Sequence, residues 1–275
     1  MRVVAASIPG LPTFWELSAP REWQRIDFIS DLHLAADMPQ TFETWAAYLL
    51  ATPADAVFIL GDLFDAWVGD DARHDAFEAR CAGVLAQAAS QRRIGFMVGN
   101  RDFLVGADLL HECGLMALPD PTVLAAFGQR ALLSHGDALC LSDTDYQQFR
   151  ARVRDPQWQA AALALPLDER RLLAAKMRHA SETRHASAAL SADAADIDAG
   201  AAVAWMHQAA TPVLIHGHTH QPGSEPLAPG HVRHVLTDWD LDHPRGAPRA
   251  EVLRWTRKGF ARLSPTLALI DASGP

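Results

Sequence analysis

An α/β fold is predicted, because short apolar runs recur along the chain, helical patterns lie between them, and each run ends in a polar cluster. The runs lie at 26–30, 56–60, 94–98, 132–134 and 213–216, and are read as buried strands. Between the first three, segments 41–51 and 77–91 carry apolar residues at helical spacing, and strand-helix-strand alternation requires at least partly parallel sheet. Beyond His135 the texture changes, and from 143 to 206 the chain is rich in Ala, Arg and Leu with few strand signals. Such an insertion between two strands is too long for a plain loop and is read as a helical cap. Runs at 232–236 and 251–255 complete the sheet. The core is therefore expected over 24–142 and 207–263, with residues 1–23 a poorly ordered extension and 264–275 a frayed tail.

The bulk composition excludes several classes. A chain of 275 residues, 49% hydrophobic and 21% charged, is that of one globular domain with an insertion, not a disordered or fibrous protein. A net charge of -9 argues against binding nucleic acid through overall electrostatics. Cys81, Cys113 and Cys140 are odd in number and lack C-x-x-C spacing, so they are read as buried free thiols. No stretch reaches the roughly 18 consecutive apolar residues of a membrane span. Pro9, Gly10 and Pro12 interrupt the first apolar run short of a signal-peptide core, so a cytoplasmic protein is expected.

Every buried run ends in a residue able to bind metal. Asp31 and His33 follow the first, Asp62 the second, Asn100 the third, His135 the fourth, and His218 and His220 the fifth. Side chains at the carboxyl ends of strands in α/β sheets converge on one crevice, so seven such ligands can meet there, enough for two metals. Asp-x-His and His-x-His spacings would point both side chains to one face of a fully extended strand, and at a strand end, where the chain starts to turn, both can still reach one site; one carboxylate, Asp62, can bridge. Carboxylate, imidazole and amide ligands without thiolate suit Mn, Fe or Zn better than Mg or Ca. Two ions so held can activate water and stabilise in-line displacement at phosphorus. Gly61, Gly99, Gly136 and Gly217 beside the ligands permit tight turns and close approach. A lone Asp or His at a strand end is more often a cap or surface group than a ligand; five clusters, each after an apolar run, single these out. His74, His111, His179, His207, His231, His234 and His243 lie outside the clusters and are read as ordinary. Asp65, Asp70 and Asp71 are read as supporting or solvated acids, and Asp102 and Asp137 as groups that could orient His or Arg.

The series D-x-H, G-D, G-N-R-D, H-G-D and G-H-T-H, from Asp31 to His220, resembles the calcineurin-like metallophosphoesterases. That resemblance implies an αββα double-sheet core. It also implies one ion on Asp31, His33, Asp62 and His220 and a second on Asp62, Asn100, His135 and His218, with Mn2+ the first choice of metal. Longer texts, ISDLHL at 29–34, LGDLFDAWVGDD at 60–71, GNRDFL at 99–104 and HGDALC at 135–140, look like the UDP-2,3-diacylglucosamine hydrolase family of lipid A biosynthesis. YQQFR at 146–150 and ALPL at 164–167 extend the match into the cap. The resemblance implies cleavage of a pyrophosphate to UMP and 2,3-diacylglucosamine 1-phosphate, with Asp62, Asn100, Arg101 and His135 in the catalytic machinery. Implied substrate contacts are Asn100, Arg101, Asp143, Ser181, His185 and His218, on a protein peripherally associated with the cytoplasmic face of the inner membrane. The chain departs from the family at Ala188, where a lysine is common, and at His185, where an asparagine is common.

From 150 to 184 the cap carries eight basic and four acidic residues, a local balance of +4 in an acidic chain. Interleaved apolar residues give helices with an apolar and a basic side, suited to anionic lipid or to enclosing acyl chains. A plain helical hairpin packed on the core would have the same composition. Two rival functions share the fold. A nucleotide or phosphoprotein phosphatase is disfavoured by the long basic and apolar cap, and a non-catalytic binding module by the intact set of seven ligands.

Overall fold

The computed structural model describes residues 1–3, 11–188, 196–243 and 247–270; at 2–3 and 179–188 the description is of the backbone. Strands β3 (Ile26–Ile29), β4 (Ala56–Leu60), β5 (Arg93–Met97) and β6 (Met116–Ala117) run parallel, joined through helices α1 (Pro39–Ala51), α2 (Ala76–Ala89) and α3 (Ala107–Glu112). A hairpin of β12 (Val252–Thr256) and β13 (Gly259–Leu263) adds antiparallel to β3, giving a six-stranded sheet ordered β13-β12-β3-β4-β5-β6. A second sheet is ordered β1-β2-β7-β8-β9-β11-β10, from β1 (Arg2–Val3), β2 (Trp15–Ser18), β7 (Thr122–Ala126), β8 (Gln129–Leu133), β9 (Val213–His216), β10 (Gly223–Ala228) and β11 (His231–Val235).

Alternation along the central strands explains the layering. All of β4 is buried, as expected for a strand covered on both faces. Ala56, Phe58 and Leu60 join Leu124, Ala131, Leu133 and Ile215 in a core between the sheets. Val57 and Ile59 belong instead to the cluster of Trp45, Leu49 and Leu85 from α1 and α2. Beyond the second sheet, Val123, Leu132 and Leu214 pack with Ala202, Trp205 and Met206 of α7 (Ala199–Ala209). The order is helix, sheet, sheet, helix, the αββα arrangement.

Three readings of the sequence change. Residues 11–23 are not a loose extension: β2 pairs parallel with β7, Phe14 is fully buried against Trp205, and Glu16 forms a 2.7 Å ion pair with Arg130. The partner strand lies some hundred residues away, so local texture gave no sign of it. The tail is not frayed as far as 270, because α8 (Pro265–Ala268) is capped by Ser264, buries Ala268 and gives its carbonyl to Arg254; residues 271–275 lie outside the described residues. The insertion also divides. Helices α4 (Thr144–Val153), α5 (Pro156–Leu163) and α6 (Leu167–Ala188) border the ligand loops, whereas α7 packs on the second sheet.

One buried ion pair joins β3 to β12. Asp27 and Arg254 stand directly opposite in register, and the guanidinium grips both carboxylate oxygens at 2.7 and 2.8 Å. The Tyr48 hydroxyl donates to Asp27 at 2.8 Å and Thr52 at 3.1 Å. Asp27→Ala leaves the arginine charge buried and unpaired, so urea unfolding should register a loss of about 3–5 kcal/mol. A loss near zero would mean the pair is replaceable.

Candidate active site

Each ligand cluster lies just past the carboxyl end of its strand: Asp31 and His33 after β3, Asp62 after β4, Asn100 after β5, His135 after β8, His218 and His220 after β9. The backbone there is turned, not extended. Asp31, His33, Asp62, His218 and His220 have φ of 55, 48, 54, 67 and 52°. Non-glycine residues in this left-handed region cost roughly 1–3 kcal/mol each and persist only where surrounding structure over-determines them. Here the loops brace one another, with Asp31 N donating to Gly61 O at 3.1 Å, His33 N to Asp62 O at 3.0 Å and Leu34 N to Leu63 O at 2.9 Å. The two-residue spacing thus works through turned backbone rather than a shared strand face.

Glycines make the room. A Cβ on Gly99 would collide with the Asp62 carboxylate, and one on Gly217 with the Asp31 carboxylate and Ser30 hydroxyl. Gly61, at φ 91°, would bring a Cβ within 2.5 Å of His135 Nδ1.

The fold brings all seven residues together. Asp31, His33 and His220 each offer a ligand atom within 4.8 Å of the others, as do Asp31, Asp62 and His135. Asn100 Oδ1 lies 2.9 Å from His135 Nε2 and 2.8 Å from His218 Nδ1, and the Nε2 atoms of His33 and His220 approach to 3.3 Å. His135 Nδ1 donates to Leu60 O at 2.9 Å, which turns Nε2 toward the cluster. Facing ring nitrogens, a shared amide oxygen, two buried carboxylates and no thiolate form a donor set that fits divalent metal ions.

The electrostatics divide the imidazoles: His33 and His218 are lowered in pKa, whereas His135 and His220 are raised by neighbouring carboxylates. Burial pulls the His218 pKa down to about 3 and holds His33 well below the usual imidazole range, so both rings are neutral, as ligands must be. Burial also lowers His135, but the carboxylates of Asp62, Asp137 and Asp31 outweigh it and bring it up to about 9. Asp62 is pushed up to about 7 by burial, which outweighs the attraction of His135, with Asp102 and Asp31 adding repulsion. Asp31 is held below the carboxylate range, since the hydrogen bond and charge of His220 overcome its burial.

The neighbouring residues divide by role. Asp102 braces backbone, accepting from Gly99 N at 2.6 Å and Leu63 N at 2.9 Å, rather than orienting a side chain. Asp137 does hold an arginine, accepting from Arg150 Nε at 2.9 Å and Tyr146 OH at 2.8 Å. Asp70 accepts from Gly106 N and Leu109 N, and Asp71 pairs with Arg170. Asp143 caps α4 by accepting from Tyr146 N at 2.9 Å. The side chains of Ser181 and His185, and Ala188 beside them, fall outside the described residues. Sequence reasoning missed Ser30, which donates to Asp31, Asp238, whose carboxylate lies 3.6 Å from His220 Nδ1, and the polar face of α4. Only the last left a signal, Tyr146, Arg150 and Arg154 at four-residue spacing.

Beside Asn100 and Arg101 opens a pocket walled by Trp67, Phe103, Phe149, Trp158, Leu173 and Met177, with Arg170 and Arg178 also lining it. The cap's positive charge is largely matched by the core: Arg150, Arg170, Arg171 and Arg178 pair with Asp137, Asp71, Asp75 and Asp65.

Gly99→Ala should test the packing around Asp62 directly. The added methyl displaces that carboxylate, so bound metal, measured by elemental analysis after dialysis, should fall well below wild type while the far-ultraviolet circular dichroism spectrum persists. Undiminished metal would mean that the loop yields without disturbing Asp62.

Residues 24–222 match the family model described as calcineurin-like phosphoesterase. Curated relatives named UDP-2,3-diacylglucosamine hydrolase are similar over most of the chain. The protein from Chromobacterium violaceum is 45% identical over 78% of this chain and 90% of its own length. That from Xanthomonas axonopodis pv. citri is 43% identical over 77% and 90%, and that from Ralstonia nicotianae 42% identical over 88% and 94%. On the double-sheet core, the gathered Asp and His groups and these likenesses, the chain belongs to the calcineurin-like phosphoesterase family.

Proposed function

We propose that this protein hydrolyses the pyrophosphate of UDP-2,3-diacylglucosamine, giving UMP and 2,3-diacylglucosamine 1-phosphate. Two divalent ions, Mn2+ in our reading, would be held by Asp31, His33, Asp62 and His220 and by Asp62, Asn100, His135 and His218. The observation that carries the reading is the junction at Asn100 and Arg101, where the polar cluster opens into an apolar pocket between the ligand loops and the cap helices. A substrate with a charged pyrophosphate beside acyl chains matches that division, and the names of the curated relatives support it.

Bound ions supply Lewis acidity and an activated water. The chain's own residues do the rest. His33, His135, His218 and His220 present ring nitrogens whose orientation is set by turned backbone and by the Leu60 carbonyl. Arg101 adds a positive charge felt by both His33 and Asp62, and its main-chain N donates to Asp62 Oδ1 at 2.8 Å. A guanidinium at this place has the fork geometry for phosphate oxygens and cannot itself ligate metal. The apolar wall excludes water and holds acyl chains.

Peripheral association with the cytoplasmic face of the inner membrane belongs to the same reading. Leu163, Leu165 and Leu172 are 43, 38 and 63% exposed where α5 passes into α6, a group suited to a bilayer surface. Since the core matches most of the cap's arginines, this contact rests more on leucine than on charge. Among the described residues no helix is long and apolar enough to cross a membrane.

The deciding assay follows UMP release from UDP-2,3-diacylglucosamine with Mn2+ and with chelator. Metal-dependent UMP is expected; hydrolysis of p-nitrophenyl phosphate without UMP release would favour a different phosphoesterase. Asp62→Ala should abolish more turnover than any other ligand change, because it removes a ligand from both ions, whereas Arg101→Ala should lower turnover with bound metal unchanged. Wild-type turnover in the first, or metal loss in the second, would contradict these roles. Shortening the acyl chains should weaken binding by roughly 0.8 kcal/mol per methylene withdrawn from the pocket. Turnover should fall with it, as remote binding energy positions the reacting group. Hydrolysis indifferent to chain length would exclude the pocket as the acyl site.

A further inference from the structure

We propose that Arg154, at the C-terminal end of the cap helix α4, is a positioning residue that fixes the Asn100 loop against the His135 loop; this deepens the two-ion reading above and rests on it. Its guanidinium Nη2 donates to Gly99 O at 2.8 Å and stands 3.8 Å from Asp137 Oδ2, so one side chain reaches both loops. Gly99 is the residue before Asn100. Its N–H is taken by Asp102 at 2.6 Å, its Cα face abuts Asp62, and its carbonyl is taken by Arg154, which leaves the peptide leading into Asn100 little freedom to rotate.

The other loop is held from the same helix. Asp137, two residues past His135 and fully buried, accepts from Tyr146 OH and Arg150 Nε, about two turns and one turn before Arg154. Gln147 Nε2 donates to the carbonyls of Asp137 and Cys140 at 2.8 and 3.0 Å. Tyr146, Arg150 and Arg154 recur every four residues and so form one stripe of α4, turned toward the loops. What the stripe sets is the pair that must act together, Asn100 Oδ1 and His135 Nε2, now 2.9 Å apart.

The test titrates metal-free, full-length protein with Mn2+ by calorimetry and follows thermal unfolding alongside. Arg154→Met is expected to weaken the ion assigned to Asn100 and His135 by roughly 10–100-fold, the usual effect of losing a supporting contact around metal ligands, and to leave the other ion at its wild-type affinity. Arg154→Lys, which keeps one donor for the Gly99 carbonyl, should fall between, and it carries the comparison if Arg154→Met does not fold. Arg152→Met, on the exposed side of the same helix, should change neither affinity. Because Arg154 acts through the Asn100 loop, adding Arg154→Met to Asn100→Ala should weaken binding no further. Additive losses, equal weakening of both ions, or an unchanged titration would each overturn the proposal. Uptake of fewer than two ions by the wild-type protein would overturn the two-ion reading itself, and the proposal with it.

Discussion

Asp31 and Asp62 are shut away from water at the ends of adjacent parallel strands, and the surrounding site is organised by the cost of keeping two carboxylates there. A buried charge is tolerated only when hydrogen-bonded and neutralised. Asp31 accepts from the Ser30 hydroxyl and the His218 amide, and Asp62 from the Arg101 amide. These bonds tie loops of both sheets to the carboxylates, since His218 follows β9 of the second sheet while Asp31 follows β3 of the first. Full neutralisation needs positive charge, which the imidazoles of His135 and His220, both raised by their carboxylate neighbours, supply in part and divalent ions would complete. The glycines and the five left-handed residues follow from the same constraint, because only turned backbone with no Cβ in the way lets the carboxylates lie so close.

The cap is joined to this centre by polar contacts as well as by an apolar wall. Asp137 and the Gly99 carbonyl look outward from the ligand loops, and α4 supplies their partners. Asp65, Asp71 and Asp75, which follow Asp62 closely in sequence, meet the arginines of α6. Cap and core therefore share charges, and removing the whole cap would strip buried groups of their partners along with any acyl site. Individual changes to pocket residues separate these effects; wholesale deletion does not.

Much of this was legible in the sequence, for a physical reason. A strand buried on both faces is a continuous apolar run, and an abrupt change to Asp, His or Asn marks its end, so the central strands and the polar residues gathered past their ends could be read together. Pairings between distant segments left no such trace: β2 beside β7, and Arg254 opposite Asp27, depend on long-range contacts that no local pattern encodes. The positive φ at Asp31 and His33 was likewise hidden, since it is imposed by neighbouring loops against the residues' own preference. Cap composition misled in one respect. Its excess of arginine looked like a surface for anionic lipid, but charge counted along the chain does not reveal that the partners are aspartates of the core.

The central claim is that these residues hold two ions that share Asp62. Anomalous diffraction from crystals grown with Mn2+ tests it most directly. Two peaks are predicted, one within reach of Asp31, His33 and His220, the other of Asn100, His135 and His218, with the Asp62 carboxylate between them. A single peak, or peaks that leave Asp62 without a metal contact, would contradict the account.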